Sequence, residues 1–235
     1  MQVKADTLSA AELYVLAGAA GVTYIFGLPE REQLALAEPD CAVKAKESLI
    51  EKGILLKEGK LTKTAFFLIK LLKQYQESEE FVRFNNVMCA FLPDDEERVV
   101  ALTERSQGKG YTLDYLEKRE VYLSLISNVS FLVREPRDQD LAFLTKPMSA
   151  AEKAEVRAMD LDQKEVLAVE TFKLASQQKP ADTGFQTTTL YFTKGEDFIS
   201  VDPLNDRYEW ISLYIMNNRI YDALHINFRA GRAML

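Results

Sequence analysis

The hydrophobic period changes along this chain, and that change limits the fold more than any other feature. As far as Gln76 the apolar residues recur at three- and four-residue spacing, the mark of helices packed on one face. From Phe81 onward, β-branched and aromatic runs bounded by turn residues take over, followed by further helical stretches. Blocks of helix followed by blocks of strand point to an α+β fold rather than a regular βαβ alternation.

The helical block is well punctuated. Ser9 with Glu12 three residues later forms a capping box, and Leu8, Leu13, Leu16 and Ala17 supply an apolar face that ends near Gly21. Val22–Phe26 suggests a short strand before the Gly27–Pro29 turn. A helix is predicted over Ala42–Lys52, and a tight hairpin around Glu58-Gly59. Thr62 or Thr64 then caps a helix over Ala65–Gln76, with Phe66, Ile69, Leu72 and Lys73 marking its apolar face. Phe81–Leu92 reads as one long strand with Arg98–Thr103 as its partner, and Pro93, Asp94, Asp95, Glu96 and Glu97 make an acidic turn between them. Gly108–Gly110 is a second turn. Thr112 or Asp114 is placed to cap a helix carrying Leu116, Tyr122, Leu123 and Ile126.

Mixed charges with Pro136 and Pro147 break every period over residues 134–147, which reads as a linker. Beyond it Met148-Ser149-Ala150-Ala151-Glu152 echoes Leu8-Ser9-Ala10-Ala11-Glu12. Strands are predicted over Glu165–Leu174, Phe185–Thr193 and Phe198–Val201, with a turn at Lys194–Asp197, and Asp206 is placed to cap a helix over Tyr208–Asn217. The order strand–turn–strand–helix therefore occurs twice. The expectation is one domain over residues 1–235: two pseudo-repeated halves, 1–133 and 148–235, around a central antiparallel sheet with flanking helices.

The chain has 235 residues, 47% of them apolar and 28% charged, enough to bury a sizeable core. No apolar run approaches the roughly 20 residues of a membrane span. The N-terminal stretch carries Glu12 and lacks a preceding basic cluster, so it reads as an amphipathic helix rather than a signal peptide. Cys41 and Cys89 lack metal-type spacing and read as reduced, buried thiols, which places the chain in the cytoplasm. A net charge of −7 disfavours general nucleic-acid or anionic-membrane binding.

Catalytic patterns are missing: there is no nucleophile elbow, phosphate-binding glycine loop or dinucleotide fingerprint. The single histidine, His225, lies in a β-like alternation over Ala223–Phe228 and reads as structural. The chain is therefore expected to be non-enzymatic, with no cofactor and no metal. Residues 42–76 resemble part of a winged-helix module, and Ala42–Tyr75 holds eight lysines against three glutamates, a local +5. A nucleic-acid-binding regulator is the alternative reading, weakened by the absence of arginine there. Trp210 and Tyr214, four residues apart, are expected on one helix face, as core packing or as an interface.

The LSAAELYVLAGAAG helix, the IFGLP turn, the LIEKGILLKEGKLT unit, the FVRFNN…RVVAL hairpin and YTLDYL together resemble the EspG-type chaperones of type VII (ESX) secretion. They resemble more closely the Gram-positive relatives of those chaperones. The resemblance is best over Leu8–Ile126. It implies a two-halved α+β fold and a cytoplasmic chaperone that shields a secreted helical-hairpin client, of WXG, LXG or PPE type, without ATP or metal. In that family a hairpin loop and the C-terminal helices meet the client. The implied partner-binding residues are Pro93–Glu97, with Trp210 and Tyr214 added from the aromatic cluster.

Overall fold

Local capping chemistry sets the first helix. In the computed structural model, which describes residues 7–106, 108, 110–174 and 183–226, Ser9 accepts from the Glu12 amide at 3.2 Å. Glu12 returns a carboxylate oxygen to the Ser9 amide at 2.6 Å. Helix α1 (Ala10–Gly18) follows, then α2 (Arg31–Ala37), α3 (Cys41–Glu51) and α4 (Lys63–Glu77). Val22–Phe26 forms no strand: the Val22 amide turns back to the Ala17 carbonyl, and the Phe26 carbonyl takes the Tyr75 hydroxyl at 2.9 Å. Its apolar residues Val22 and Ile25 are buried all the same, as irregular chain pinned to helix ends.

The predicted long strand is broken in two, β1 (Glu80–Phe84) and β2 (Val87–Leu92). Asn85 between them adopts φ +50°, a conformation that asparagine tolerates better than most residues. Its side chain makes the turn worthwhile, accepting from the Ala168 amide at 2.8 Å and donating to the Val166 carbonyl at 3.1 Å. Strand β2 pairs antiparallel with β3 (Asp95–Ser106), from Val87 opposite Thr103 to Phe91 opposite Val99. The predicted acidic turn contracts to Pro93-Asp94, because Asp95 already pairs with Leu92 across a bulge. Residues 110–117, where Thr112 or Asp114 was expected to cap a helix, are strand β4 (Gly110–Glu117).

The remaining elements are α5 (Lys118–Asn128), α6 (Ser130–Val133), a short 3-10 turn at Asp138–Leu141, β5 (Thr145–Pro147), α7 (Ala150–Arg157), a second 3-10 turn at Leu161–Gln163, β6 (Leu167–Leu174), β7 (Thr183–Lys194), β8 (Asp197–Asp202), β9 (Arg207–Ile211) and α8 (Leu213–Ala223). Residues 134–147, expected as a linker, thus hold the 3-10 turn and an edge strand. The predicted helix over Tyr208–Asn217 is half strand: β9 pairs with β8, and α8 is capped by Ser212 rather than Asp206. Trp210 and Tyr214 therefore lie on different elements. His225 has φ +52° just past α8 and is not in a strand, and residues 227–228 of the expected alternation lie outside those described.

The nine strands form one sheet in the order β4-β3-β2-β1-β6-β7-β8-β9-β5, so the α+β expectation holds. Contacts divide the chain into two compact units. The first comprises Met1–Phe81, Asn86–Leu116 and Leu174–Gly184. In it α1 packs on α3 and α4, and α4 lies on β2 and β3 through Ala65, Leu68, Leu71, Leu72 and Tyr75. Phe66, expected on that buried face, is 61% exposed. The second unit comprises Val82–Asn85, Glu117–Lys173 and Phe185–Leu235. One of its cores gathers Met148, Val156, Phe192, Ile199 and Val201, with Tyr208 and Trp210 packed at its edge.

Candidate functional site

The acidic hairpin tip divides into one structural residue and four solvent-facing ones. Asp95 accepts from the Glu97 and Arg98 amides at 3.1 Å each and from the Tyr115 hydroxyl at 2.6 Å. The Tyr115 hydrogen bond is the main reason its carboxyl is held below the usual range, with the two amides adding to it. Pro93, Asp94, Glu96 and Glu97 are exposed around this anchor. The tip is thus a rigid support carrying three outward carboxylates.

Trp210 belongs to the second unit's core edge. Its indole N–H donates to Glu152 at 3.0 Å, and Glu152 also accepts from the Ser149 amide at 2.7 Å to complete the α7 capping box. The Ser149 amide and hydroxyl, followed by the indole, bring the Glu152 carboxyl down to about 2. Trp210 consequently fastens β9 to α7.

Tyr214 has a different setting. It is 39% exposed at the start of α8, and its ring lies 6.2 Å from that of Phe143 in an edge-on arrangement. Phe143 itself is 79% exposed, and Leu141 and Leu144 beside it are also solvent-facing. The loop is held from beneath, because the Ser212 amide donates to the Leu144 carbonyl at 3.1 Å and the Ser212 hydroxyl bonds the Ala142 carbonyl. Asp140, buried, anchors the other end by accepting from Arg134 at 2.9 and 3.0 Å and from the Arg137 amide at 2.9 Å. Arg137 reaches on to Glu196 and Asp197, and the Arg134 guanidinium sits 4.2 Å from the centre of the Phe198 ring. A fixed loop thus presents Leu141, Phe143 and Leu144 to water beside Tyr214. Sequence reasoning found Tyr214 and missed the other three. Their signal was LAFL, an apolar run with no period between prolines and charges.

Residues 42–76 keep the expected helix–hairpin–helix order, with Leu55 bridged to Leu61 and Gly59 at φ +75° in the hairpin. The basic charge is partly neutralised there. Lys44 pairs with Glu38 and Asp40, Lys52 with Glu12, Lys60 with Glu58 and Lys73 with Glu77. A groove of about 570 Å³ is lined by α1, α2 and α3, and its two most buried charges, Glu12 and Lys52, satisfy each other. Among the described residues, no group of three or more His, Cys, Asp and Glu side chains could hold a metal ion, and no helix is long and apolar enough to cross a membrane.

Together these features describe an α+β protein on a nine-stranded sheet, with an acidic hairpin tip and a supported aromatic patch. The chain belongs to the family described as Domain of unknown function (DUF5081), which matches it over residues 2–232. It is also similar to the type VII secretion system protein EsaE of Staphylococcus aureus strain USA300, 24% identical over 108 residues. The same protein from strain NCTC 8325 / PS 47 matches equally. The matched stretch is 46% of this chain and 48% of EsaE, so the chain spans about half the length of the curated relatives it matches.

Proposed function

We propose that this protein is a non-catalytic cytoplasmic chaperone or adaptor that binds a helical secreted client of a type VII secretion system, in the manner of the EspG-type chaperones. The observation that carries the reading is the Phe143–Tyr214 patch, where large apolar side chains face water on a loop held rigid by Ser212 and Asp140. Holding such a patch open has a solvation cost that a partner's apolar stripe would relieve. The similarity to EsaE supports the secretion setting. We take the acidic tip of the first unit as a charged surface that steers the encounter.

The reading also treats the chain as two related halves. Its support is local. Leu8, just before the first capping box, donates its amide to Tyr111 near the start of β4. Met148, just before the second, donates to Tyr208 near the start of β9.

Co-expression with helical WXG-, LXG- and PPE-type proteins, followed by recovery through a tag on this chain, tests the proposal. A near-stoichiometric helical partner is expected, lost on Phe143→Ser. Recovery of none of the three types would sink it.

A further inference from the structure

The outer face of α4 is a second surface, among the described residues, on which the fold leaves large aromatic side chains in water. Helix α4 buries Ala65, Leu68, Leu71, Leu72 and Tyr75, which turns positions 63, 66, 67, 70 and 73 outward by helical geometry. Phe66 and Phe67 stand there 61% and 43% exposed, on either side of the Lys63–Lys70 row. The hairpin before α4 is tied to its first turn by Thr62, whose hydroxyl donates to the Ile54 carbonyl at 2.6 Å, and it exposes Leu56 and Lys57.

Most of the uncompensated charges of this segment lie on this face, where Lys73 alone is paired, with Glu77. Of the eight lysines in residues 42–76, four are paired with carboxylates, as described above. Among the described residues, Lys46, Lys57, Lys63 and Lys70 have no such partner, and three of these four belong to α4 and its hairpin. Lys63 is also the first residue of α4, at the end where the helix dipole is positive, and the first turn contains no acidic residue. A cation there opposes the dipole, and an incoming carboxylate would answer both.

We propose that this face is a docking surface for an acidic amphipathic helix of a partner protein. Its apolar stripe would cover Phe66 and Phe67, and its flanking carboxylates would meet Lys57, Lys63 and Lys70. Shape and charge together favour such a helix over a nucleic acid. The segment has no arginine for bidentate contacts to phosphate or base, and a long polyanion that runs past the local basic patch meets the remainder of a chain whose net charge is −7. A single helix keeps its few carboxylates within the patch and supplies the apolar stripe that the phenylalanines require. The proposal stands independently of the Phe143–Tyr214 patch and does not need a secreted client.

The test uses the full chain and a labelled helical peptide of about five turns, with leucines at i, i+3, i+4 and i+7 and glutamates flanking them. The comparison probes are the same peptide with lysine for each glutamate and a single-stranded oligonucleotide, all read by fluorescence anisotropy. The acidic peptide is expected to bind at least about tenfold more tightly than the basic one. Phe66→Ser with Phe67→Ser should weaken it about tenfold or more, and Lys63→Glu with Lys70→Glu should reverse the preference between the peptides. Lys70→Glu alone serves if a double variant does not fold. Equal binding of the two peptides, binding indifferent to these substitutions, or tighter binding of the oligonucleotide would each overturn the proposal.

Discussion

The Lys52 ammonium closes over the Glu12 carboxylate, 2.7 and 2.8 Å from its two oxygens, and donates also to the Thr7 carbonyl at 2.9 Å. Glu12 is only 2% exposed, so α1 begins on a buried charge whose balance comes from the end of α3. Burial alone would push this carboxyl up. Hydrogen bonds from Lys52 and Ser48, and from the Ser9 amide, outweigh burial and hold it below its usual range.

A depressed carboxyl stabilises the fold above its unfolded value, near pH 4.3, and loses that contribution as pH falls through the folded value. Lys52→Met, which strands the carboxylate, should cost about 3 kcal/mol at pH 7. The deficit should shrink at pH 4, where protonation relieves the stranded charge. Urea unfolding at the two pH values reads this directly, and an equal deficit at both would show that the pair contributes only packing.

Asp140 plays the same part for the loop beneath the aromatic patch. Asp140→Asn keeps the size but removes the charge on which Arg134 and Arg137 converge. The expected cost is about 2 kcal/mol. Because the loop is what loosens, trypsin cleavage after Arg137 should accelerate more than cleavage elsewhere. Uniformly faster cleavage would point to global destabilisation instead.

At the acidic tip, the three neighbouring acids should behave unequally. Asp95→Ala removes the acceptor of two amides and the Tyr115 hydroxyl and should cost about 1–2 kcal/mol. Asp94→Ala and Glu96→Ala should change stability by no more than about 0.5 kcal/mol. Thermal unfolding of the three single variants separates them.

Capping boxes and tight turns were legible in the sequence because they are decided within a few residues. Ser9–Glu12, Ser149–Glu152, Thr62 and Gly59 all act as read. The Asn85-Asn86 turn is equally local but lies between two mostly apolar runs, Phe81–Phe84 and Val87–Leu92, which together read as one strand. The phase of α4 was not legible. From Ala65 to Leu72 only Lys70 is polar, so the stripes 66/69/72/73 and 65/68/71/72/75 both have helical spacing. Contact with β2 and β3 chooses the second stripe and leaves Phe66 outside. The residues after Thr112 or Asp114, to Glu117, and Tyr208–Ile211 read as helix for a related reason, since a neighbouring strand supplies their backbone partners and sequence spacing does not encode it. Trp210 and Tyr214 were separated as a consequence.

The two cysteines should differ sharply in reactivity. Cys89 is fully buried on β2, and burial pushes its thiol up to about 12, so almost no thiolate forms near neutrality. Cys41, expected to be buried like Cys89, instead opens α3 and is partly exposed. An aromatic disulfide reagent at pH 8 should titrate one thiol quickly in the native protein and the second only after denaturation. Cys41→Ser should abolish the fast phase. A fast phase that survives this change would mean that β2 opens far more readily than its burial implies.

The Phe143–Tyr214 pair separates a binding role from a folding one. Both side chains keep substantial exposure, so the fold gains little from either, and Phe143→Ser should shift stability by no more than about 0.5 kcal/mol. If the pair anchors a helical client, the same change should weaken that complex by about 2 kcal/mol or more, close to a thirtyfold loss of affinity. Tyr214→Ser should act alike. The double variant should lose less than the sum of the two, because rings in contact share the pocket they fill on the partner. Ser212→Ala supplies the contrast. It leaves both rings in place but removes the hydroxyl that bonds the Ala142 carbonyl and caps α8, so it should lower stability first and affinity through it. Titration of each variant with a client recovered by co-expression, alongside its unfolding curve, distinguishes the two patterns. Loss of stability without loss of affinity in Phe143→Ser would make the patch part of the fold and remove the main support for the chaperone reading.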